Sequence, residues 1–326
     1  MSSSLPQRRV GASGLLVSAV GLGCNNFGRK GTRTETLEGT RAVLESAIEC
    51  GVTFLDTADI YGKQFGVSET LMGEALEGRR DEVVLATKFG HADFAPEIPG
   101  GAKASRTAVR RSVEASLRRL RTEWIDLYQV HTPDPHTPID ETLDVLTDLV
   151  REGKVRYVGH SNFTGWQIAE AELRAARGVH FVSAQNQYSL LVRAAERDVL
   201  PAVEHFGLGF FPFFPLHNGL LTGKFTREGG PESSRIMTTR AHLWRDAPWD
   251  ALDAYRAFCE ERGITMLEAT FGWFLARPSV SSVIAGATSP EQVRANAAAA
   301  TAWQPSVDEV AAIDALFPLI ADPAAG

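Results

Sequence analysis

Cysteine is scarce in this sequence, and its placement argues against two classes of protein. Three cysteines occur in 326 residues, at Cys24, Cys50 and Cys259, with no CxxC pair and no spacing typical of a metal site. This pattern disfavours a disulfide-stapled secreted domain and favours buried thiols in a reducing compartment. Residues 1–9 are polar and lack the apolar core of a secretory signal. We therefore expect a cytoplasmic protein without a structural metal.

Long apolar runs and blocks of positive charge are also absent. The longest strongly apolar stretch, Leu208 to Leu216, is interrupted by glycine and proline and is too short to span a bilayer. Basic residues number 33 against 40 acidic residues, giving a net charge of −7. The composition, 44% hydrophobic and 22% charged, predicts a globular protein with a large core. We expect neither a membrane nor a nucleic acid as partner.

Short apolar runs, rich in β-branched and aromatic residues, alternate with amphipathic segments along the chain. The runs are nearly continuous, as expected for parallel strands buried on both faces. Between them, Ser105, Thr137 and Ser289 occupy N-cap positions ahead of helical periodicity, and Pro138 fits a first helical position. Eight such units predict an α/β fold, a closed (β/α)8 TIM barrel. The runs begin near Ser18, Val52, Val83, Trp124, Val155, Phe181, Leu208 and Val280.

We expect a single barrel domain over residues 1–326 with two additions. Residues Arg9 to Ser18 hold turn-forming glycines between short β-like pieces and predict an N-terminal hairpin that caps the bottom of the barrel. A long mobile loop is predicted after the seventh strand, over Thr226 to Asp246, where glycine, serine, threonine and arginine are frequent.

A doubly wound open sheet is the alternative architecture. Its glycine fingerprint would use Gly21 and Gly23, but the third position of the motif holds Asn26. The acidic residue expected about 20 residues further on comes too late, at Asp56. The barrel is therefore the favoured fold.

Four polar residues lie at or near the carboxyl ends of neighbouring predicted strands, where barrel enzymes place their active sites. Asp56, Lys88 and His131 each end an apolar run, and Tyr61 follows in the loop TADIYG. Taken singly, each residue has an ordinary structural explanation. Asp56 could cap the next helix, and Tyr61 could pack within its loop. Lys88 could be a solvated residue at a strand end, and His131 could be a core histidine. Because neighbouring strands lie about 4.8 Å apart, the four side chains together predict one shared pocket.

A phenol, an ammonium and an imidazole in one pocket fit the reduction of a carbonyl group. A phenol with an ordinary pKa of about 10 is a poor acid at neutral pH unless a cation stabilises its phenolate. Lys88 about 4 Å from Tyr61 would lower the phenol pKa by about three units before desolvation is counted. Asp56 would keep the ammonium charged, and His131 would orient the carbonyl oxygen. The set lacks a nucleophile and a carboxylate pair, so it favours reduction beside a hydride donor over hydrolysis.

A series of longer motifs accompanies these residues. They are GLGCNNFG (21–28), FLDTADIYG (54–62), ATKFG (86–90), IDLYQVH (125–131), VGHSNF (158–163), QNQYSLL (185–191), PLHNGLLTGKF (215–225) and GATSPEQVRAN (286–296). Through them the chain resembles the aldo-keto reductase superfamily over nearly its whole length. The resemblance implies a (β/α)8 barrel that uses NADPH to reduce small aldehydes and ketones. It also implies that Tyr61 is the acid, that Lys88 and Asp56 tune it, and that His131 orients the carbonyl.

The same resemblance implies a set of cofactor-binding residues. Ser161, Asn162 and Gln185 match residues that hydrogen-bond the nicotinamide carboxamide. Phe213 stands where the family usually stacks a tyrosine on the nicotinamide ring, and an apolar ring can still stack there. The segment from Leu216 to Lys224 matches the one that wraps the pyrophosphate. The other positions matched to the cofactor site are Gly23, Cys24, Asn25, Asp56, Phe214, Pro215, Asn218, Gly219, Leu220, Ala285, Ala287 and Asn296.

The adenosine end of the implied cofactor site departs from the family pattern. Gly286 and Gln292 stand where many relatives carry a lysine and an arginine on the 2′-phosphate. The helix N-terminus predicted at Ser289 still offers backbone donors to an anion. The expectation is therefore NADPH as the favoured cofactor, with NADH possible.

Two other functions stay open at this point. The resemblance extends to ion-channel β subunits, which implies a nicotinamide redox sensor, and to reductases of keto or unsaturated deoxysugars. The intact set of four polar residues favours an enzyme. The walls of the substrate pocket are expected to be largely aromatic and suited to a ring or an apolar tail. They are Asn26, Phe27, Phe89, Phe94 and Trp244.

Overall fold

Eight parallel strands form a closed barrel. The computed structural model describes residues 5–91, 102–175, 178–232 and 234–319. The eight strands pair in chain order, and the last strand pairs with the first. This closure confirms the predicted (β/α)8 barrel and excludes the open doubly wound sheet. The strands of the described residues, including two that precede the barrel, are β1 Gln7–Arg9, β2 Leu16–Ser18, β3 Val20–Gly23, β4 Phe54–Asp56, β5 Val84–Phe89, β6 Ile125–Val130, β7 Val155–Ser161, β8 Ser183–Gln187, β9 Gly209–Phe213 and β10 Val283–Gly286.

The helices that follow β3 to β8 pack against one another in sequence order, and the helix after β10 packs against the helix before β10 and against the one after β3. Each therefore covers one part of the barrel wall. The helices are α1 Leu37–Glu49, α2 Val67–Ala75, α3 Arg106–Leu120, α4 Ile139–Arg151, α5 Gly165–Arg174, α6 Val199–Phe206, α7 Arg235–Thr239, α8 Ala241–Arg245, α9 Trp249–Glu261, α10 Met266–Leu275, α11 Pro290–Ala302 and α12 Val307–Leu316, with 3-10 turns at Arg33–Glu35, Arg80–Glu82, Ala194–Glu196 and His217–Thr222.

Two of the three predicted helix caps are confirmed. The hydroxyls of Ser105 and Ser289 accept backbone N–H groups from the first turns of α3 and α11. The cap predicted at Thr137 is wrong by one residue, because the cap position of α4 is Pro138. The Thr137 hydroxyl donates instead to Asp134, at 2.7 Å, and so holds the loop before the helix.

The predicted N-terminal hairpin is confirmed as the antiparallel pair β1 and β2. Its apolar residues, such as Val17, pack with Phe54 and Phe211 from the barrel interior, so the hairpin closes the amino-terminal end of the barrel. Its turn requires glycine at Gly11, where φ is +54° and an added Cβ would lie 2.3 Å from the carbonyl oxygen of Gly207. With this end closed, the carboxyl ends of the strands form the barrel mouth that faces ligands.

The predicted long segment after β9 is present and contains α7 and α8, which the sequence did not predict. Ile236 of α7 is fully buried in a cluster with Leu220 and Phe225. The Trp244 indole donates a hydrogen bond to the Thr226 carbonyl, at 2.9 Å. Helices of five residues are too short to show helical periodicity, which explains why sequence patterns missed them.

The loop between β4 and α2 carries Tyr61 and is fixed to the barrel by backbone hydrogen bonds. The Asp59 N–H donates to the Lys88 carbonyl at 3.2 Å, and the Asp59 carbonyl accepts from the Gly66 N–H at 2.6 Å. These bonds tie both sides of the loop to β5 and to the start of α2. Tyr61 is therefore held at the barrel mouth by local backbone structure.

The Asp59 side chain lies in a buried acidic environment behind this loop. Its neighbour Glu69 is fully buried, pairs with Arg119 at 2.6 Å and accepts a hydrogen bond from Thr87 at 2.6 Å. Burial, followed by the charge of Glu69, raises the pKa of Asp59 to about 8. Its Oδ1 atom has no hydrogen-bond partner among the described residues. Ionisation of this carboxyl therefore opposes folding.

We expect Asp59→Asn to remove a pH-dependent cost of folding. Because the folded-state pKa lies above the ordinary value of 3.8, the folded protein binds more protons than the unfolded chain between pH 4 and 8. The free energy of unfolding of the wild type thus falls as pH rises through this window. Across this pH window, the free energy of unfolding of the variant should rise relative to that of the wild type by up to about 5 kcal/mol. Urea unfolding at a series of pH values measures this difference.

The exposed carboxyl of Asp81 provides the matched control. Asp81→Asn should change the free energy of unfolding by less than about 0.5 kcal/mol at each pH. A stability difference between Asp59→Asn and the wild type that does not vary with pH would contradict the ionisation cost.

Candidate active site

The carboxyl ends of the strands bring the predicted site residues to one mouth of the barrel. The strand register places Gly23 beside Asp56 and also beside Gly286 of β10. Across the barrel, Ser161 of β7 lies beside Gln185 of β8. Residues far apart in the sequence therefore share one rim because the sheet is parallel and closed.

Lys88 and Asp56 form a buried ion pair at the centre of this rim. The Lys88 Nζ atom lies 2.6 Å from Asp56 Oδ2 and also donates to the Thr57 carbonyl at 2.9 Å. Both side chains are shielded from solvent. Burial lowers the pKa of Lys88, but the charge of Asp56 and the interactions with Tyr61 outweigh it, so the net pKa is raised. The ammonium is therefore charged at neutral pH.

The second carboxylate oxygen of Asp56 accepts two hydrogen bonds from amides. The Nε2 atoms of Gln129 and Gln185 each lie 3.1 Å from Asp56 Oδ1. The sequence analysis did not single out Gln129, although it lies two residues before His131 and so on the same face of the strand. The predicted cofactor residue Gln185 therefore uses its amide nitrogen on Asp56.

The Tyr61 ring lies between the ion pair and His131. Its centroid is 5.3 Å from Lys88 Nζ and 5.8 Å from the centroid of the His131 ring. Burial raises the pKa of Tyr61, and Asp56 adds to this, while the charge and hydrogen bonding of Lys88 lower it. The net pKa is raised. Lys88 therefore lowers the phenol pKa in the expected direction, but burial outweighs this effect and the phenol stays protonated.

His131 lies directly after β6, with its ring against that of His91 at 4.6 Å between centroids. Burial lowers its pKa well below the ordinary value, and the charges of Lys88 and Lys103 add to this effect. The imidazole is therefore neutral at physiological pH. Its Nδ1 atom is buried without a hydrogen-bond partner among the described residues.

Ser161 and Asn162 link three neighbouring strand ends. The Ser161 hydroxyl donates to the Gln185 carbonyl at 2.8 Å, and the Asn162 amide donates to the His131 carbonyl at 2.9 Å. Asn162 has a φ of +62°, a left-handed conformation that asparagine tolerates better than most residues. The structure thus brings the predicted carboxamide-binding residues together beside His131.

The predicted pyrophosphate segment makes a series of tight turns after β9. Phe214, His217 and Asn218 all have positive φ, and Gly219 has a φ of +107°. A Cβ at Gly219 would lie 2.9 Å from the Cε atom of Lys224. Partial burial lowers the pKa of Lys224, which forms no ion pair with a carboxylate of the described residues. Candidate cofactor residues in this segment are Phe213, Phe214, Pro215, Leu216, Asn218, Gly219, Leu220 and Lys224.

The predicted adenosine-binding residues lie at the end of β10 and the start of α11. The Ser289 hydroxyl accepts the Gln292 N–H at 3.4 Å, and Gln292 Oε1 accepts the Thr288 N–H at 2.7 Å. Protein side chains therefore already cap part of this helix N-terminus. Ala287 and Asn296 are buried, whereas Gly286 is exposed at the rim.

The aromatic walls predicted for the substrate pocket are corrected by the structure. Phe27 and Phe89 are fully buried in the core, because they pack behind the strand ends instead of facing the mouth. The Trp244 indole is hydrogen-bonded to the Thr226 carbonyl. Neither Trp244 nor Asn26 lines the cleft that lies at Tyr61, which is described next. Phe94 lies outside the described residues.

A cleft of about 190 Å³ lies at Tyr61, and three of its lining residues are arginines that the sequence analysis missed. Arg29 follows the first glycine-rich motif, and Arg235 and Arg240 lie in the segment predicted as a mobile loop. These arginines lie outside every recognised motif. Only the folding of the long segment toward the β3 end brings them together.

The described ranges contain no group of three His, Cys, Asp or Glu side chains arranged to hold a metal ion. In the same ranges, every helix is too short or too polar to cross a bilayer. All three cysteines are free; Cys24 and Cys259 are buried as expected, and Cys50 is partly exposed.

Comparison with known proteins supports the assignment of this fold. The sequence profile of the Aldo/keto reductase family matches residues 19–317. The chain is 38% identical over 297 residues to the uncharacterized oxidoreductase YrpG of Bacillus subtilis, covering 87% of this chain and 88% of that protein. It is 35% identical to a putative voltage-gated potassium channel subunit beta of Schizosaccharomyces pombe, with 90% and 87% covered. It is 32% identical to the L-glyceraldehyde 3-phosphate reductase of Escherichia coli O157:H7, with 94% and 91% covered.

The family match extends over most of the chain, and the relatives include oxidoreductases. The closed barrel with a polar site at its mouth agrees with both findings. The protein is therefore an enzyme of the oxidoreductase class, in a family that uses nicotinamide cofactors and acts on small carbonyl compounds. The chain belongs to the Aldo/keto reductase family.

Proposed function

We propose that this enzyme reduces the carbonyl group of a small aldehyde or ketone to an alcohol. The observation that carries the proposal is geometric: at the barrel mouth the Tyr61 ring lies 5.3 Å from Lys88 Nζ and 5.8 Å from the His131 ring. A reduced nicotinamide, when bound, supplies the hydride for the carbonyl carbon. The protein's part is to bind the substrate and to provide the proton.

Tyr61 is the proposed proton donor. Its raised pKa keeps the hydroxyl protonated at neutral pH, so the acid is present when the substrate binds. As the carbonyl oxygen gains negative charge, the phenol transfers its proton, and the developing phenolate lies beside Lys88. The buried ammonium stabilises that negative charge more strongly than water would, because it is already fixed by Asp56.

His131 is the proposed positioning group for the carbonyl oxygen. A neutral imidazole with its proton on Nε2 donates a hydrogen bond without competing with Tyr61 as an acid. The edge-to-face contact with the Tyr61 ring places the two groups side by side. The carbonyl oxygen would thus accept hydrogen bonds from both side chains.

The residues at the mouth fit a nicotinamide dinucleotide at both ends. Ser161, Asn162 and the amide oxygen of Gln185 would hold the carboxamide, and Phe213 would stack on the nicotinamide ring. Lys224, which has no described carboxylate partner, and the backbone turn at Gly219 would hold the phosphates. A dinucleotide requires both kinds of contact, stacking and hydrogen bonds at the nicotinamide and cationic or N–H groups at the phosphates.

The start of α11 would hold the adenosine ribose and its 2′-phosphate. Its helix dipole favours an anion, but Ser289 and Gln292 already occupy part of the first turn. No lysine or arginine stands at Gly286 or Gln292 to add a charge-assisted contact. We therefore infer NADPH as the favoured cofactor by a small margin, with NADH also accepted.

Replacing the proposed acid gives the sharpest test of the reaction. Tyr61→Phe should lower kcat for carbonyl reduction by about 10²- to 10⁴-fold, because proton donation is lost while the ring remains. Cofactor binding, followed by fluorescence titration, should persist. Tyr157→Phe, on β7, is the matched control and should stay close to wild type. An unchanged kcat in Tyr61→Phe would remove Tyr61 from the mechanism.

The cofactor preference is testable in parallel assays with NADPH and NADH. A single helix N-terminus is worth about 0.3–1 kcal/mol to an anion, which corresponds to a roughly two- to fivefold preference. The ratio of kcat/KM values for the two cofactors should fall in this range in favour of NADPH. A ratio at or below one would contradict binding of the 2′-phosphate at α11.

A nicotinamide redox sensor is the second candidate function, and the similarity to the protein named as a putative channel subunit beta favours it. A sensor would bind NADPH tightly but would oxidise it too slowly to follow against a panel of aldehydes, ketones and sugars. The enzyme proposed here would turn over at least one member of that panel many times per active site. Counting turnovers per bound NADPH separates the two functions.

A further inference from the structure

Gln129 is a fully buried amide inside the barrel, at the level of the active-site lysine. The strand register places it beside Lys88 of β5 on one side and beside Gly159 of β7 on the other. One layer deeper on the same face of β6, Leu127 packs with Phe54 and other apolar side chains of the barrel interior. An aliphatic side chain would therefore suit this face of the strand, and the presence of an amide requires a separate reason.

The Gln129 amide makes a single hydrogen bond to the described residues. Its Nε2 atom donates to Asp56 Oδ1 at 3.1 Å, whereas its buried Oε1 atom has no hydrogen-bond partner in the described part of the chain. The amide cannot be turned around without loss, because its oxygen would then face a carboxylate oxygen and could donate nothing. What the amide adds over an aliphatic side chain is thus the bond to Asp56.

The neighbouring strand confines the Gln129 side chain. Gly159 is paired with Ser183 of β8 as well as with Gln129. A Cβ atom at Gly159 would lie 2.3 Å from Ser183 Oγ and 3.4 Å from Gln129 Cγ, so the layer has no room for a larger residue there. Close packing on this side limits how far Gln129 can turn away from Asp56.

A second amide, that of Gln185, donates to the same carboxylate oxygen at 3.1 Å. Gln185 belongs to the residues proposed to hold the nicotinamide, whereas Gln129 lies outside that set. The bond from Gln129 is therefore independent of a bound cofactor. With Oδ1 held by amides, the other oxygen of Asp56 lies 2.6 Å from Lys88 Nζ.

The direction in which Asp56 faces matters for Lys88. Burial lowers the pKa of Lys88, and the charge of Asp56 is the largest effect that raises it. A carboxylate rotated away from the ammonium would lose a charge-assisted hydrogen bond, which is the strong kind. Because the two oxygens of a carboxylate are rigidly connected, a donor that fixes Oδ1 also fixes the position of Oδ2.

We propose that Gln129 is a positioning residue for carbonyl reduction: its amide aims the Asp56 carboxylate at Lys88 and so holds the ammonium beside Tyr61. Gln129 acts through Asp56 and needs no contact with substrate or cofactor. The inference rests on the proposed function and adds a residue to the four that the sequence predicted.

Gln129→Met tests this role, because methionine keeps the length and the unbranched shape of the side chain and lacks the donor. With the panel compound that the wild type reduces fastest, kcat should fall by about tenfold or more, since a bond to a charged group is lost. The Kd for NADPH, from fluorescence titration, should stay close to wild type. In nitrogen-15 NMR of labelled lysine, the Lys88 ammonium should lose its proton at a pH lower by about half a unit or more.

Two further variants serve as controls. Gln7→Met replaces an exposed glutamine of β1, at the opposite end of the barrel, and should leave kcat and the Lys88 titration unchanged. Gln129→Glu keeps the side-chain length, and burial beside Asp56 raises the pKa of the introduced carboxyl so that it stays protonated at neutral pH. Its hydroxyl then donates to Asp56, and kcat at neutral pH should recover most of the loss seen in Gln129→Met.

The outcomes that oppose the inference are distinct from failure of the proposed function. A wild type that turns over no member of the carbonyl panel overturns the reduction, and with it any role of Gln129 in it. Turnover by the wild type with unchanged kcat in Gln129→Met overturns the positioning role alone. A lower kcat with an unchanged Lys88 titration excludes the path through Asp56. Equal losses in Gln129→Met and Gln129→Glu would assign the effect to packing and also overturn the inference.

Discussion

The ion pair between Lys88 and Asp56 is the interaction on which the rest of the site depends. An ammonium buried from solvent loses most of its hydration, and only a close carboxylate with further hydrogen bonds compensates for that loss. Asp56 meets this need because it accepts from Lys88 on one oxygen and from Gln129 and Gln185 on the other. Asp56 and Lys88 come from the neighbouring strands β4 and β5 and Gln129 from β6, whereas Gln185 reaches Asp56 from β8 across the closed barrel.

The charge held in this way modifies the pKa values of its neighbours, whose protonation states are set mainly by burial. It lowers the pKa of His131 further below the value that burial alone would give, and it offsets part of the burial that raises the pKa of Tyr61. A neutral imidazole and a protonated phenol therefore coexist at neutral pH. The buried carboxyl of Asp59, behind the loop that carries Tyr61, adds a cost in stability at the same place. Concentrating titratable groups in this way is common at sites selected for chemistry rather than for stability.

The sequence predicted the barrel and the four central polar residues because both follow from local patterns. Apolar runs that alternate with amphipathic segments predicted the parallel architecture. The carboxyl ends of the predicted strands pointed to Asp56, Lys88 and His131. Side-chain contacts between strands were not predictable in this way, so Gln129 was missed. The net direction of the Tyr61 pKa shift was left open, because it depends on how deeply the folded protein buries the phenol. The pocket walls were wrong for the same reason, since Phe27 lies shortly after β3 and Phe89 ends β5, yet both side chains are buried in the core. The cleft arginines depend on how a long segment folds back, which no short motif encodes.

The most direct test of the central claim is the protonation state of Lys88 itself. Nitrogen-15 NMR of labelled lysine side chains, assigned through the loss of one signal in Lys88→Met, reports whether the Nζ atom is charged. The ion pair with Asp56 predicts that this ammonium keeps its proton up to and beyond pH 10.5, the ordinary lysine value, despite complete burial. An Nζ atom that becomes a neutral amine between pH 7 and 9 would contradict the account.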